Sequence, residues 1–207
     1  MTGEQKKDDA LTPSRPQSLT RRSAALVRRG LTEALALQSS ASYRDRGDAK
    51  SSQGDLDGAM ADYAKAIKID PRDAKAHDRR GVVRWHKGDL DGAIADWTKA
   101  IEIEPRFADA YCDRGRAKWD KGDFDGAIAD RTKAIEIDSQ YGKAYYGRGR
   151  AKQDKGDLDG AIIDFDKAIE IDPRDAKAYN CRGRAKQDKG DLDGAMADYD
   201  KAIEIDA

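Results

Sequence analysis

The stretch of this sequence nearest to metal chemistry is Asp-x-Asp-Gly. It occurs inside Gly-Asp-Leu-Asp-Gly at 54–58, 88–92, 156–160 and 190–194, and inside Gly-Asp-Phe-Asp-Gly at 122–126. Calcium loops use this spacing because two carboxylates and a sharp glycine turn wrap a cation. In the 156–160 copy, however, Lys155 stands at the first ligand position and Asp166 at the last. A lysine there puts positive charge where the ion needs oxygen, so a turn followed by a helix cap accounts for the motif. His77 and His86 are not spaced to share one helical face, and neither has cysteine partners at zinc spacing. Cys112 and Cys181 are too far apart in the repeat pattern for a disulfide. No phosphate-binding glycine loop and no nucleophile elbow occur. The regular carboxylates recur in every repeat, which suits a scaffold better than a unique acid–base pair. The expectation is a non-enzymatic chain with no cofactor and no metal.

The elements behind these motifs repeat with a period of 34 residues, the clearest sign of a stacked architecture. Glycines fall at 47, 81, 115, 149 and 183, at 54, 88, 122, 156 and 190, and at 58, 92, 126, 160 and 194. Alanine holds 59, 93, 127, 161 and 195. Units therefore begin at 40, 74, 108, 142 and 176, giving repeats over 40–73, 74–107, 108–141, 142–175 and 176–207. With the first residue of a unit as position 1, the glycine columns are positions 8, 15 and 19. Each unit reads as two helices. In the second, Leu158, Ala161, Ile162, Phe165, Ala168 and Ile169 follow helical spacing. Asp157 is placed to cap its start, and Asp172-Pro173 to stop it. Gly156 ends the first helix, and the recurring glycine at position 8 predicts a close packing partner. One pair cannot stand alone. Ordering a backbone costs roughly 1–2 kcal/mol per residue, against about 1.5–3 kcal/mol for each large buried side chain, and each unit has few of those. Stacking lets neighbours share faces.

These residues resemble the tetratricopeptide repeat. The matching columns are the aromatics Tyr43, Tyr111, Tyr145 and Tyr179 at position 4, glycine at 8 and alanine at 20. They continue with Tyr63, Trp97, Phe165 and Tyr199 at 24, alanine at 27, and Pro71, Pro105 and Pro173 at 32. The resemblance implies an all-α fold, a right-handed αα-superhelix (solenoid) of five stacked helix–turn–helix repeats over 40–207. There are departures. His77 replaces an aromatic at position 4, Arg131 one at 24, and Ser139 the proline at 32, which marks the junction of repeats three and four as the softest point. Position 7 is arginine in every unit, position 11 is Lys or Arg, and position 23 is aspartate in every unit. Two readings follow: an arginine–carboxylate ladder along the stack, or two solvated columns.

The resemblance further implies that the first helices line a concave groove for a peptide or a partner's helix, with positions 2, 5, 9, 12 and 13 facing it. Those positions select Asp78, Val82, Trp85 and His86 in repeat two, and Cys112, Arg116, Trp119 and Asp120 in repeat three. Repeats four and five add Tyr146, Arg150, Gln153, Asn180 and Arg184. Trp85 and Trp119 occupy the same position in adjacent repeats and are expected side by side. Arg116, Arg150 and Arg184 form a row suited to carboxylates. The implied ligand is an acidic or C-terminal segment with an apolar anchor. The family's carboxylate-clamp pattern, Lys at 5 and Asn at 9, is absent, so a chaperone-tail ligand is not supported. The function expected is protein binding and scaffolding. The alternatives are a recruiting or co-chaperone subunit of an enzyme complex and, less favoured, a helical-repeat RNA binder.

Composition agrees with a thin body: 38% of residues are charged and 38% hydrophobic, with a net charge of −1. Such a balance exerts no pull on nucleic acid or anionic membrane, and residues 40–207 hold 36 acidic against 32 basic residues. No run is long and apolar enough for a membrane span, and nothing at the start looks like a signal peptide. Two cysteines fit a reducing compartment, so a cytoplasmic location is expected. Residues 1–17 read as disordered and 18–39 as an N-terminal capping helix whose arginine pairs face solvent, anionic lipid or nucleic acid. At the other end, Met196, Tyr199, Ile203 and Ile205 have no capping helix, which predicts fraying or weak self-association there.

Overall fold

The computed structural model describes residues 39–206, so the expectations for 1–17 and for the capping helix fall outside the described residues, apart from Ser39. Ten helices run through the described residues in five hairpins, with no strand among them. They are α1 (Ser40–Ser52) with α2 (Leu56–Ile69), α3 (Ala74–His86) with α4 (Leu90–Ile103), and α5 (Ala108–Asp120) with α6 (Phe124–Ile137). α7 (Gly142–Asp154) with α8 (Leu158–Ile171) and α9 (Ala176–Asp188) with α10 (Leu192–Asp206) complete the series. Each helix packs on its hairpin partner and on the next hairpin in line. The first helices of successive repeats also touch one another, without a comparable contact between successive second helices. This is an all-α repeat superhelix, and its inner wall is built from the first helices.

The turns explain two glycine columns. Gly156 has φ +85° and ends the first helix in the left-handed region, as do its four equivalents. Asp157 follows, and its carboxylate accepts from Gly160 N–H at 2.9 Å, capping α8. A Cβ at Gly160 would collide with that carboxylate, 2.8 Å from its Cγ, so the third column is kept bare by the cap. At the other end, Asp172 is extended and Pro173 follows it.

The core is small because the interhelix spaces are filled mainly by alanine. Columns 20 and 27 are buried in all five repeats. One large side chain per repeat, at position 24, packs over the glycine at position 8. A Cβ at Gly149 would lie 2.8 Å from Phe165, one at Gly81 3.0 Å from Trp97, and one at Gly183 2.9 Å from Tyr199. The predicted close partner of that glycine is therefore the aromatic of the same hairpin.

The ladder reading holds. The position 23 aspartates Asp62, Asp96, Asp130, Asp164 and Asp198 are all buried, and each takes two hydrogen bonds from the position 7 arginine of its repeat. The position 11 cation joins from one turn on: Lys50, Arg84, Lys118, Lys152 and Lys186 lie 2.8–3.0 Å from the same carboxylates. Rungs are tied across repeats as well. Arg114 Nη1 donates to Thr98 and Arg148 Nη1 to Thr132, both at 3.1 Å, and Arg182 Nη1 to Asp166 at 2.6 Å. In repeat two, buried His77 sits 3.5 Å from Asp96, filling the missing aromatic's place with a further contact to the rung. A buried carboxylate is tolerable only when paired and hydrogen-bonded. The hydrogen bonds from Arg46, then Lys50, accordingly hold Asp62 down to about 2.

Candidate functional site

The inner wall presents a chain of contacts that steps from one repeat to the next. The Arg116 guanidinium lies 3.8 Å from the centre of the Trp85 ring, and Trp85 Nε1–H donates to Asp120 at 2.5 Å. One repeat on, Arg150 covers Trp119 at 4.2 Å while Trp119 Nε1–H donates to Asp154 at 2.6 Å. The logic is helical. Positions 9 and 13 are one turn apart on the same face, so the Arg and Asp of one repeat grip the ring and the N–H of the indole before them. Arg150 also reaches Tyr146, at 6.0 Å. The two indoles thus stand under alternating guanidinium groups, and among the described residues no ring contact joins Trp85 to Trp119. The side-by-side expectation is corrected to this interleaving, which arises because the position 9 arginines of repeats three and four each fold back on the indole of the repeat before.

The remaining residues expected to face a groove divide by depth. His86 is exposed, edge-on to Trp85 at 4.8 Å. Asn180 and Arg184 are exposed one turn apart on α9. Val82 is half-buried against the cluster around Trp97. Gln153 is half-buried, with its Nε2 shielded and without a partner. Tyr146 is half-buried and accepts from the Cys181 thiol at 3.7 Å; burial, then Cys181, pushes its hydroxyl up to about 12. Position 5 lies lower than expected in two repeats. Asp78 is 4% exposed and accepts from Trp97 Nε1–H at 3.1 Å, drawn beneath the surface by the indole that fills its own repeat. Cys112 is buried against Ala134 and Ala144. Burial pushes Asp78 up to about 7, with Asp113 adding to the shift, and pushes the Cys112 thiol up as well.

Charge is unevenly satisfied here. Arg116, Arg150 and Arg184 have no carboxylate within 4 Å among the described residues, whereas every position 7 arginine is paired. Asp154, which holds Trp119, was not among the sequence-derived groove residues. Its spacing to Trp119 is one repeat plus one, the same as Trp85 to Asp120, and that relation could have found it. Among the described residues no cluster of His, Cys, Asp or Glu is arranged to hold a metal, and no helix is long and apolar enough to cross a membrane.

Comparison with known proteins bears on this geometry. A family profile described as "TPR repeat" matches residues 47–88, 85–122 and 149–190, and one described as "Tetratricopeptide repeat" matches 108–141 and 176–207. No curated protein matches the chain by sequence. Among solved structures, a crystal structure of MamA is 32% identical with a TM-score of 0.72, over 77% of this chain and 94% of that one. YrrB, described as a TPR protein with an unusual peptide-binding site, is 26% identical with a TM-score of 0.66, over 79% of this chain and 84% of that one. PilF of Pseudomonas aeruginosa, at 18% identity, shares the fold with a TM-score of 0.74, over 80% of this chain and 75% of that one.

Proposed function

Since this chain belongs to the tetratricopeptide-repeat family, a family of protein-interaction scaffolds, we propose that it is a non-enzymatic module that holds an acidic peptide or partner helix along its inner wall. The observation that carries this reading is the alternation of Trp85, Arg116, Trp119 and Arg150 on one face. Indoles and guanidinium groups are the side chains that dominate binding hot spots. Here the rings offer apolar anchorage, and the arginines keep donors that no carboxylate of the described chain has taken. The similarity to YrrB, itself described as a peptide binder, supports a groove ligand. The two free cysteines support a reducing, cytoplasmic setting. A role as recruiting subunit of an enzyme complex would use the same groove.

Panning a random peptide library on the full chain tests the reading. Enriched peptides are expected to carry acidic residues next to an aromatic or large aliphatic one. Their affinity for the Trp85→Ala/Trp119→Ala variant is expected to fall at least about thirtyfold, the equivalent of about 2 kcal/mol. Unchanged affinity in that variant would overturn the groove assignment.

A further inference from the structure

Position 24 is aromatic in four repeats and arginine in the third. Arg131 is buried like most of the rings in its column, at 6% exposure. Its Nε and Nη1 atoms are shielded from solvent and have no acceptor among the described residues. Two guanidinium N–H groups out of water without an acceptor are costly, whereas each position 7 arginine meets a carboxylate.

The sequence makes room for this arginine in one place. Position 6 is Asp45, Arg79, Asp113 and Cys181 in the other repeats, but Gly147 in the fourth. A Cβ there would fall 2.6 Å from Arg131 Cζ and 2.8 Å from Cδ. A Cβ at Gly115 would lie 3.3 Å from Arg131 Cγ. The side chain therefore leaves α6, passes Gly115 of α5, and ends against Gly147 of α7, crossing from the outer layer of helices to the inner one. Cys112 interacts with it there. Arg116 and Arg150 stand near enough that their charges, after burial itself, push Arg131 below its usual range. Asp113 is nearby but does not pair with it within 4 Å, and burial followed by Asp109 pushes Asp113 up to about 6.

We propose that the junction of repeats three and four is a carboxylate-binding site, in which Arg131, given room by Gly147 and flanked by Arg116 and Arg150, receives one carboxylate of the bound peptide. Arginine matches carboxylate geometry, and this chain forms that pair in every rung of its ladder. The carboxylate comes from an Asp or Glu side chain or from a peptide C-terminus. The proposal rests on the groove reading and gives the acidic ligand its anchor point.

The test is NMR of arginine Nε–H signals in the ¹⁵N-labelled full chain at constant ionic strength, the Arg131 signal being the one lost in Arg131→Phe. The probes are acetyl-Gly-Glu-Gly-amide, acetyl-Gly-Gly-Gly with a free carboxyl, and acetyl-Gly-Gln-Gly-amide. The Arg131 signal is expected to shift saturably with one or both carboxylate peptides and not with the glutamine peptide; which of the two acts identifies the source. Arg131→Phe restores the aromatic of its column and is expected to weaken binding at least tenfold. Gly147→Ala, which keeps every charge but puts a methyl where the Arg131 side chain lies, is expected to weaken it too. An Arg131 signal indifferent to the carboxylates, or equal affinity in both variants, would overturn the site. A panned peptide that needs the two tryptophans but not Arg131 would leave the groove standing and remove this site. Carboxylate binding at Arg131 together with tryptophan-independent peptides would do the reverse.

Discussion

Arg148 grips Asp164 with two hydrogen bonds, Nε to Oδ2 at 2.9 Å and Nη2 to Oδ1 at 2.7 Å, and Asp164 is 1% exposed. Breaking a buried pair from one side strands the other charge, a loss of about 3–5 kcal/mol. Lys152, 2.8 Å from the same carboxylate, softens the blow. Arg148→Leu is therefore expected to destabilise by roughly 2–3 kcal/mol in urea unfolding. Adding Asp164→Leu should recover part of that, because the stranded charge is gone. A single variant as stable as the parent would mean that the rung is solvated in water.

The pH profile of stability should fall on both sides of a mildly acidic optimum. The rungs dominate on the acid side. Asp62 is held down to about 2 against an unfolded value near 3.9, so its contribution is present above the unfolded value and lost as pH falls toward 2. Asp198 shifts the same way: burial pushes it up, but hydrogen bonds from Arg182 and Lys186 outweigh burial. Asp78 acts in the opposite sense. Its carboxyl is pushed up to about 7 by burial and by Asp113, so its contribution is complete below about 4 and lost as pH rises through 7. Asp78→Asn keeps an acceptor for Trp97 and is expected to be more stable than the parent at pH 8, by on the order of 1–3 kcal/mol, with the difference reversing or vanishing near pH 4. Parallel pH profiles for the two proteins would exclude this assignment.

Most of the backbone plan was legible in the sequence, since its determinants are local. The cap at Asp157 and the left-handed Gly156 lie within a few residues of what they control. The arginine–aspartate columns shared a period, and that suggested a ladder. The contribution of Lys152 was not drawn from its column, although position 11 follows position 7 by one helical turn and so reaches the same carboxylate. The inner wall was less legible. Position 5 was expected on the surface, but Trp97 Nε1–H pulls Asp78 under it. The alternation of indole and guanidinium depends on the stacking register between repeats. Arg131 stood out as an irregularity, but its meaning required Gly147, an equally singular residue in another column and another repeat.

The glycine at position 8 sets up a contest whose sign can be measured. Gly149→Ala gains about 1 kcal/mol of helix propensity. Its methyl would lie 2.8 Å from Phe165 Cε1 and 3.2 Å from the Ala161 carbonyl oxygen. Phe165 is fully buried and Ala161 O is backbone, so neither can retreat cheaply. Overpacking of this kind costs about 1–3 kcal/mol. The net expectation is a loss of about 1 kcal/mol or more, read as a lower urea midpoint. An increase would show that α7 and α8 can separate at little cost, and that the close approach is not what holds this column to glycine.

The outer face of α10 is apolar and exposed. Leu192, Met196 and Ile203 are 64%, 64% and 68% exposed. Their counterparts one repeat earlier, Leu158, Ile162 and Ile169, are half-buried or buried, with Ile162 packed against the cluster holding Ala185 and Ile169 against Ala178 and Tyr179 of α9. The same positions thus serve as an interface between repeats wherever another repeat follows among the described residues. An apolar surface already shaped to receive a helix is a site for association. The full chain is expected to self-associate weakly and in a concentration-dependent way by sedimentation equilibrium. Met196→Lys/Ile203→Lys should abolish this while leaving the helical signal and the unfolding midpoint of the other repeats intact. A parent protein that stays monomeric across the accessible concentration range would mean that this face is left to solvent or covered from within the same chain.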